Sequence, residues 1–568
     1  MPKKILIIGA VALGPKAACR VKRLDPTAQV TMIDKGDIVS YGGCGIPYFI
    51  SGDVSDIKEL RTTSFKTVRD ESFFRQAKDV TVLTNTLALA IDRKAKLVRV
   101  RDLASGQEQD LAYDNLVLAT GATPRRLGLP GQDLPGVFSV ADLHDAEAIR
   151  EIISQGRVSR AVVVGSGFIG LEVAEALRDM WGLEVAVVEV MDQVLPANLS
   201  PVLARMAEEH LRENGLELHF SEKVLGFEGQ DRVERVVTDK RVIEAEMVVV
   251  AAGVVPNTAL AGQAGLALSA RGGVLVDEHM RSSDPDIFAG GDCVEVANLI
   301  TGQPFFLPLG SMANRQGRVI GSNLAGGSAK FPGAVGSFAV KTFERTMAGA
   351  GLTPAQAAKA GFNALSTLII QLDRAHFFPG KELMTLELTV DRDTRRILGI
   401  QGLGPMGDAL VGRIGAVAGI MSRGATVGDL SNLEYPYSPP FSQAMDIVNT
   451  LGNVADNMLM GMNQGISPGE FEKLFAGDQN QTCFFLDCRE PDNASPFLTR
   501  HPGVWHNIPQ GSLRERLAEV PRDKTVVLVC NTGSRSYEAQ VTLNQAGIKD
   551  VLNLHGGMAA LKQTGIKL

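Results

Sequence analysis

The sequence predicts an α/β protein in which one unit of strand, turn, helix and strand occurs twice, followed by an α+β module and a further α/β domain. The two units begin at Lys3 and Arg160, and each joins an apolar run, a glycine-rich turn and a helix of small residues to a second apolar run. From about Phe331 to Tyr435 the pattern changes to alternating, strand-like runs. About the last hundred residues alternate short apolar runs with helical patterns, which is typical of an α/β domain.

The size and composition of the chain indicate a multidomain globular protein. Its 568 residues suffice for roughly three or four domains, and hydrophobic residues make up 45% of them. The net charge of -7 and the lack of a Lys/Arg-rich run argue against nucleic acid or an anionic membrane as the main partner. No apolar stretch reaches the roughly 20 residues that a membrane-spanning helix needs. We therefore expect a small-molecule partner.

The first repeated unit carries Gly9 and Gly14 in its turn and ends its second strand at Asp34. In such units, glycines allow a tight turn, the helix N-terminus faces a pyrophosphate, and the acid binds ribose hydroxyls. Val11 stands where the middle glycine of the fingerprint would be, so this copy is the poorer match.

The second unit has the complete fingerprint and an acid, Glu189, at the expected distance of about 20 residues. Its glycines are Gly165, Gly167 and Gly170. A glycine-rich turn that only packs helix on strand is the alternative for both copies. Together they predict two Rossmann-like dinucleotide-binding domains.

Two later segments, each at the end of a predicted strand, supply further residues to these predicted domains. "LATGATP" places Thr120 and Gly121 after a buried strand, and "DIFAGGDC" places Asp292 after a short strand and two glycines. The Asp292 carboxylate is in position to bind a sugar-like hydroxyl. A turn aspartate that caps the next helix is the alternative.

Cys44 lies in "GGCGIPYFISG", shortly after the first dinucleotide unit. A thiolate is the competent sulfur nucleophile, and glycine neighbours let a small disulfide or persulfide approach it. We predict that Cys44 attacks sulfur and that its resting oxidised form is a mixed disulfide or a sulfenic acid. A small packing residue in a tight loop is the alternative.

Cys530 ends the strand "TVVLVC" and opens the loop "CNTGSRS" before a helix. Such a loop turns successive N–H groups inward and stabilises a thiolate or persulfide anion, and Arg535 is predicted to assist. A strand-terminal cysteine without partners is the alternative.

The six cysteines lack the spacing of a disulfide framework or a zinc site, which predicts a reducing, cytoplasmic location and no metal site. Four of them are predicted to be packing residues: Cys19, Cys293, Cys483 and Cys488. Cys488, in "LDCRE", is also a candidate to face the pocket of the last domain.

The two fingerprints, "ATGATP", "AGGDC" and the early single cysteine together resemble the flavoprotein disulfide reductases, over roughly the first 450 residues. One cysteine instead of a pair resembles the branch of coenzyme A disulfide reductases and NADH oxidases or peroxidases. "FLDCRE" and "CNTGSRS" resemble a rhodanese domain. The whole chain is similar to coenzyme A disulfide reductases fused to rhodanese, including NADH-dependent persulfide reductases.

This resemblance implies a domain for each region of the chain. The expected boundaries are residues 1–150 and 255–328 for an FAD-binding domain, 151–254 for an NAD-binding domain, 329–446 for a dimerisation domain, 447–467 for a linker and 468–568 for a rhodanese domain.

It also implies roles for individual residues. Those expected to bind FAD are Gly9, Gly14, Asp34, Thr120, Gly121 and Asp292. Those expected to bind the nicotinamide nucleotide are Gly165, Gly167, Gly170 and Glu189. NADH is favoured over NADPH because "VMDQV" after Glu189 lacks a basic partner for a 2′-phosphate. Arg20 and Arg23 are candidates for the phosphates of coenzyme A, with a solvated helix face as the alternative, and Tyr437 is expected to reach the active site of the other subunit in a homodimer.

Three positions depart from the family pattern. Gly43 stands where asparagine is frequent, Ala10 where a glycine is usual, and Phe377 and Phe378 where coenzyme A disulfide reductases often have tyrosine. Because a hydroxyl donor is missing, the prediction of coenzyme A disulfide as a substrate is less secure than the prediction of the fold.

The leading interpretation is an enzyme that passes electrons from NADH through FAD to Cys44 and reduces a persulfide, polysulfide or disulfide, while Cys530 handles sulfane sulfur. One alternative is an NADH oxidase or peroxidase in which Cys44 cycles through sulfenic acid. The other is a sulfur carrier or redox sensor whose tail docks partners. The sequence leaves open the physiological acceptor and whether coenzyme A is a substrate or a bound helper.

Overall fold

The structure is a computed structural model that describes residues 2–477 and 482–568. The chain divides into two compact units. The first comprises the residues up to Val190 together with Glu222–Ala334, and the second comprises Met191–Ser221 together with Val335–Leu568.

The first unit contains a parallel sheet of five strands around the first repeat. Its central strand is buried from Ile5 to Ile8, as expected for a parallel sheet covered on both faces. The strands in spatial order are Ile287–Ala289, Asn115–Leu118, Lys4–Ile8, Gln29–Ile33 and Thr81–Leu83. Three helices accompany this region: Leu13–Leu24, Glu71–Lys78 and Gly310–Leu324.

The second repeat forms its own parallel strands in the same unit. In spatial order these are Glu184–Val188, Arg160–Val164, Met247–Val250 and Val137–Ser139. The accompanying helices are Ile46–Ser51, Leu143–Ser154, Phe168–Asp179 and Ala259–Gln263. The two strand-turn-helix-strand units predicted from the sequence are thus confirmed.

Smaller sheets complete the first unit. Two are antiparallel and three-stranded: Thr86–Asp92 with Leu97–Asp102 and Glu108–Ala112, and Val224–Glu228 with Arg235–Thr238 and Val242–Glu244. The others are the pair Ala122–Pro124 and Val254–Pro256, and the mixed sheet of Val274–Leu275, Val294–Ala297 and Pro304–Phe305.

The second unit begins with the helix Pro201–Glu213 and the strand Leu216–His219. Its larger sheet is antiparallel, and the strand Ile397–Pro405 within it is buried along its whole length. The strands in spatial order are Phe338–Thr342, Arg345–Gly351, Ile397–Pro405, Leu383–Asp391 and Ala364–Leu372. The helices that follow or interrupt these strands are Pro354–Lys359, Asp408–Met421, Val427–Ser431 and Ile447–Leu459.

The C-terminal domain is a parallel five-stranded sheet. Its strands in spatial order are Gly465–Ile466, Val551–Leu554, Thr525–Val529, Cys483–Asp487 and Trp505–Asn507. Its helices are Pro468–Ala476, Pro491–Arg500, Ser534–Gln545 and Gly557–Gln563. The predicted linker 447–467 therefore contains a helix and also supplies the edge strand of this sheet. None of the helices within the described ranges is long and apolar enough to cross a membrane.

Candidate active site

The first glycine turn allows a close approach of backbone to backbone. Gly9 has a φ of +108°, and a Cβ atom there would lie 2.1 Å from the carbonyl oxygen of Ala119. A Cβ atom on Gly14 would lie 2.0 Å from the carbonyl oxygen of Gly9. Both positions therefore require glycine, which brings the helix N-terminus against the turn as dinucleotide binding demands.

The second glycine turn has the same construction. Gly165 has a φ of +107°, and a Cβ atom on Gly170 would lie 2.0 Å from its carbonyl oxygen. A Cβ atom on Gly167, in contrast, would meet no atom of the described residues within 4 Å. Gly167 is the N-cap of the helix Phe168–Asp179. The open space beside this N-terminus fits a pyrophosphate.

Asp34 and Glu189 bind the two turns in the same way. The Oδ2 atom of Asp34 accepts a hydrogen bond from the N–H of Ala10 at 2.7 Å. The Oε2 atom of Glu189 accepts one from the N–H of Ser166 at 2.8 Å. Each carboxylate thus lies beside the second residue of its turn, next to the place where the ribose of a dinucleotide binds in this fold.

The Asp292 carboxylate follows the strand Ile287–Ala289 and is partly buried. None of the hydrogen bonds found over residues 2–477 and 482–568 reaches it, and burial alone raises its pKa to about 6. A partly buried carboxylate without a protein donor is free to accept a hydrogen bond from a ligand. Asp292 therefore fits a sugar-like hydroxyl, and its contact with FAD stays a prediction.

Thr120 and Gly121 follow the strand Asn115–Leu118, which pairs with the strand that precedes Asp292. The Thr120 hydroxyl donates to the carbonyl oxygen of Asn257 at 2.7 Å, and Gly121 has a φ of +66°. The hydroxyl of Thr120 thus donates a hydrogen bond within the protein itself. A contact of Thr120 with FAD remains a prediction.

Cys44 is the exposed cysteine, and it lies in the 3₁₀ turn Gly43–Gly45 that leads into the helix Ile46–Ser51. Its Sγ atom lies 3.5 Å from the position that a Cβ atom would take on Gly310, the first residue of the helix Gly310–Leu324. A helix N-terminus favours negative charge. The thiol is therefore accessible and lies beside the start of this helix.

The helix after Cys44 packs on the helix of the second dinucleotide unit. The Tyr48 hydroxyl donates to the Glu172 carboxylate at 3.1 Å, and burial together with this carboxylate raises the pKa of Tyr48. The indole N–H of Trp181 donates to the carbonyl oxygen of Ile50 at 2.8 Å. Cys44 is thereby anchored where the two dinucleotide units meet. The sequence pattern does not reveal these partners, which lie more than a hundred residues apart.

Arg20 contacts the same helix that adjoins Cys44. Its Nε atom donates to the Ser322 hydroxyl at 3.0 Å, and a Cβ atom on Gly321 would lie 2.6 Å from the Cβ atom of Arg20. Arg23 is exposed. Ser322 lies about 18 Å along the helix axis from Gly310, at 1.5 Å per residue.

Tyr437 belongs to the second unit and is 53% exposed. The segment that carries it is held by a buried ion pair, in which the Arg413 guanidinium donates to the Asp446 carboxylate at 2.6 Å. Phe377 is exposed as well. Catalytic participation of Tyr437 remains a prediction.

Cys530 is buried at the end of the strand Thr525–Val529. Its sulfur accepts hydrogen bonds from the Gly533 N–H at 3.1 Å and from the Ser536 hydroxyl at 3.2 Å. Arg535 is in the first turn of the following helix. This loop provides the donors that a thiolate or a persulfide anion requires.

The remaining cysteines lie in packed surroundings. Cys293, Cys483 and Cys488 are buried, and Cys19 is partly buried. Burial raises the pKa of Cys19, Cys293 and Cys488. These thiols have the environment of packing residues, as predicted, although Cys488 lies close to Cys530.

Comparison with known proteins identifies the family. Residues 3–310 match the family described as pyridine nucleotide-disulphide oxidoreductase. The chain belongs to this family. Residues 337–448 match the dimerisation domain of the pyridine nucleotide-disulphide oxidoreductases, and residues 467–564 match the rhodanese-like domain. Membership of the family confirms the predicted fold class and the predicted cofactors, FAD and a nicotinamide nucleotide.

The pyridine nucleotide-disulphide oxidoreductases that resemble this chain include sulfur-reducing enzymes. An "NAD(P)H sulfur oxidoreductase (CoA-dependent)" of Pyrococcus furiosus is 34% identical over 80% of this chain and 99% of its own length. A solved "NAD-dependent persulfide reductase" from A. fulgidus is 40% identical, has a TM-score of 0.92 and covers 98% of this chain and 99% of its own. The reduced CoADR-RHD of Bacillus anthracis is 30% identical, with a TM-score of 0.90 and coverage of 99% and 98%.

Proposed function

We propose that the chain is an NADH-dependent flavoprotein reductase that delivers electrons through FAD to Cys44 and reduces persulfides, polysulfides or coenzyme A disulfide. The observation that carries this proposal is the exposed Cys44 thiol, anchored where the two dinucleotide units meet. The names of the relatives support sulfur chemistry. Two of the similar solved structures extend over nearly all of this chain, including its C-terminal domain, which favours a sulfur reductase over an NADH oxidase.

Each residue has a defined part in the reaction. FAD, which Gly9, Gly14 and Asp34 would help to hold, would supply to sulfur the two electrons that NADH provides. The Cys44 thiolate attacks the sulfur of a persulfide R–S–SH that is bonded to R, expels hydrosulfide and forms a Cys44–S–S–R mixed disulfide. Two electrons and one proton then regenerate the thiolate and release R–SH. The sulfur of Cys44 lies beside the first residue of the helix Gly310–Leu324, and a helix N-terminus favours the negative charge that the thiolate carries before and after this cycle.

Coenzyme A is the proposed carrier of the sulfur that reaches Cys44. Arg20 donates to Ser322, which lies about 18 Å along the helix Gly310–Leu324 from its start, and Cys44 adjoins the start itself. An extended phosphopantetheine arm spans such a separation, with its thiol at Cys44 and its phosphates at Arg20. The exposed Arg23, one turn further along its helix, is proposed to contact the same phosphates.

Cys530 is proposed to load and pass on sulfane sulfur. A sulfane donor such as thiosulfate transfers its outer sulfur to the Cys530 thiolate and leaves as sulfite. The N–H of Gly533 and the hydroxyl of Ser536 stabilise the resulting persulfide anion, with Arg535 nearby. Placing two sulfur-handling sites in one chain raises the effective concentration of one for the other.

We further propose a cytoplasmic homodimer with the domain boundaries predicted from the sequence. The dimerisation domain matched at 337–448 supports the homodimer, in which Tyr437 would reach the active site of the second subunit. All six cysteines are free, which agrees with a reducing compartment.

The proposal is tested by measuring NADH oxidation with one acceptor at a time: a small persulfide, coenzyme A disulfide or hydrogen peroxide without oxygen, and dioxygen in a separate aerobic assay. We expect at least one sulfur acceptor to be faster than dioxygen and peroxide by about tenfold or more. Faster turnover with dioxygen or peroxide would instead identify an oxidase or peroxidase. Slow turnover with all four would favour a carrier or sensor.

A further inference from the structure

Cys488 and Cys530 directly follow the ends of two adjacent parallel strands of the C-terminal domain. The strands Cys483–Asp487 and Thr525–Val529 pair in register, with Asp487 opposite Val529. The N–H of Cys488 donates to the carbonyl oxygen of Val529 at 2.8 Å, so the pairing extends to the next residue. That residue is Cys530 on the second strand. Adjacent strands lie about 4.8 Å apart, a separation that a disulfide bond accommodates.

The alternation of side chains, continued one residue past the two strand ends, places both thiols on the same face of the sheet. Side chains of a strand alternate between faces, so Leu486 and Cys488 share one face, as do Leu528 and Cys530 on the next strand. Leu486, Cys488 and Leu528 pack in one apolar cluster. Cys488 and Cys530 are both almost completely buried. No step of the proposed sulfur chemistry has so far used Cys488.

We propose that Cys488 is a resolving thiol for Cys530, which converts a Cys530 persulfide into a Cys488–Cys530 disulfide and releases sulfide. This inference rests on the proposed function, because it takes the Cys530 persulfide as its substrate. It gives the C-terminal domain a second reaction besides sulfur transfer.

The reaction balances without an external oxidant. The sulfur of Cys488 attacks the Cys530 sulfur, a new S–S bond forms between the two cysteines, and the S–S bond to the sulfane sulfur breaks. The sulfane sulfur leaves as hydrosulfide with the proton of Cys488. The two cysteines are oxidised by two electrons and the sulfane sulfur is reduced by two. Two equivalents of a small thiol then restore both cysteines and form a disulfide, which belongs to the substrate class proposed for Cys44.

The surroundings of Cys488 make this reaction slow at neutral pH. Burial raises the pKa of Cys488, and the negative charges of Cys530 and Asp487 raise it further, whereas Arg535 opposes them. Asp487 itself is paired with Arg489. Because the thiolate is the nucleophile, transfer of sulfane sulfur to an external acceptor precedes disulfide formation when an acceptor is present. The resolving step therefore removes the sulfane sulfur from Cys530 when no external acceptor is present, and its rate increases as pH rises.

The test loads the reduced full-length protein with thiosulfate, removes the excess and incubates it anaerobically without an acceptor. Intact mass, sulfide release and peptide mapping are followed at two pH values. We expect loss of the bound sulfur atom, release of one sulfide per loaded chain and a Cys488–Cys530 disulfide, all faster at the higher pH. In Cys488→Ala, loss of the persulfide should slow by about tenfold or more. Cys483→Ala is the matched control, because this buried cysteine lies on the same strand but in a different apolar cluster; it should behave as wild type.

A second arm needs no sulfur transfer. A brief peroxide pulse oxidises Cys530 to the sulfenic acid, and attack by Cys488 gives the same disulfide and water. If thiosulfate fails to load Cys530, the proposed sulfur transfer is wrong. The peroxide experiment still tests whether Cys488 and Cys530 form a disulfide. Equal persistence of the persulfide in wild type and Cys488→Ala, or the absence of a Cys488–Cys530 disulfide after peroxide, would contradict the inference.

Discussion

The Sγ atom of Cys44 lies 3.5 Å from the position that a Cβ atom would occupy on Gly310. This distance is an ordinary van der Waals contact, so the absence of a side chain on Gly310 leaves one approach to the thiol open. Gly310 has no positive φ, and its conformation alone does not require glycine. Glycine at this position therefore leaves the sulfur uncovered on this side.

We predict a graded effect of substitutions at Gly310. Gly310→Ala should retain most activity because its methyl group only touches the sulfur, whereas Gly310→Val adds methyl groups that cover it. NADH should still reduce the flavin in both variants, and turnover with a small persulfide should fall about tenfold in Gly310→Val. Stopped-flow flavin reduction and steady-state NADH oxidation separate these steps. Full acceptor turnover in Gly310→Val would show that substrate reaches Cys44 from another side.

Glu189 predicts a preference for NADH. Its carboxylate is next to the second glycine turn, and the residues that follow it in sequence, "VMDQV", include no cation for a 2′-phosphate. We expect NADH to reduce the flavin at least about tenfold faster than NADPH, because the carboxylate repels the phosphate. The difference should shrink in Glu189→Ala, chiefly through slower reduction by NADH. Equal rates with both nucleotides in wild type would overturn the cofactor preference.

Asp292 predicts that FAD affinity depends on pH. Its pKa is raised to about 6 by burial, so the carboxylate gains a proton as pH falls through that value. The ionised form accepts a hydroxyl hydrogen bond better, and FAD affinity should therefore fall by up to about tenfold between pH 7 and pH 5. Asp292→Asn should bind FAD with little pH dependence over this range. The fluorescence of released FAD measures the FAD affinity of wild type and of Asp292→Asn. The same dependence of affinity on pH in both proteins would exclude a contact between Asp292 and FAD.

The sequence predicts some parts of the site because they depend on local pattern. Gly165 and Gly170 are identifiable since a strand, a turn and a helix adjoin them in sequence and require glycine at fixed spacing. The contact of Tyr48 with Glu172 is not identifiable in this way, because it arises from packing between helices far apart in the chain. The edge strand Gly465–Ile466 is too short to show a period, so its segment resembles a linker. Similarly, the proximity of Cys488 and Cys530 depends on strand register, which the sequence leaves open.

Cys530→Ser should separate the two activities of the chain. Sulfur transfer from thiosulfate should disappear, because the persulfide forms on this thiol within its N–H and hydroxyl donors. Reduction of a small, diffusing persulfide at Cys44 should largely remain, while reduction of protein-bound or elemental sulfur should fall. Parallel NADH oxidation and sulfurtransferase assays measure these outcomes. Unchanged sulfur transfer would place this chemistry elsewhere, with Cys488 the next candidate, and equal loss of all activities would indicate an obligatory relay from Cys530 to Cys44.

The most direct test of the central claim is the behaviour of Cys44→Ser. Two quantities are measured anaerobically in the full-length protein: the rate of flavin reduction by NADH, and NADH turnover with a small persulfide. We predict that flavin reduction stays within about threefold of wild type while persulfide turnover falls by a factor of about a hundred or more, because serine cannot form the mixed disulfide. Persulfide turnover at the wild-type rate in Cys44→Ser would contradict the account.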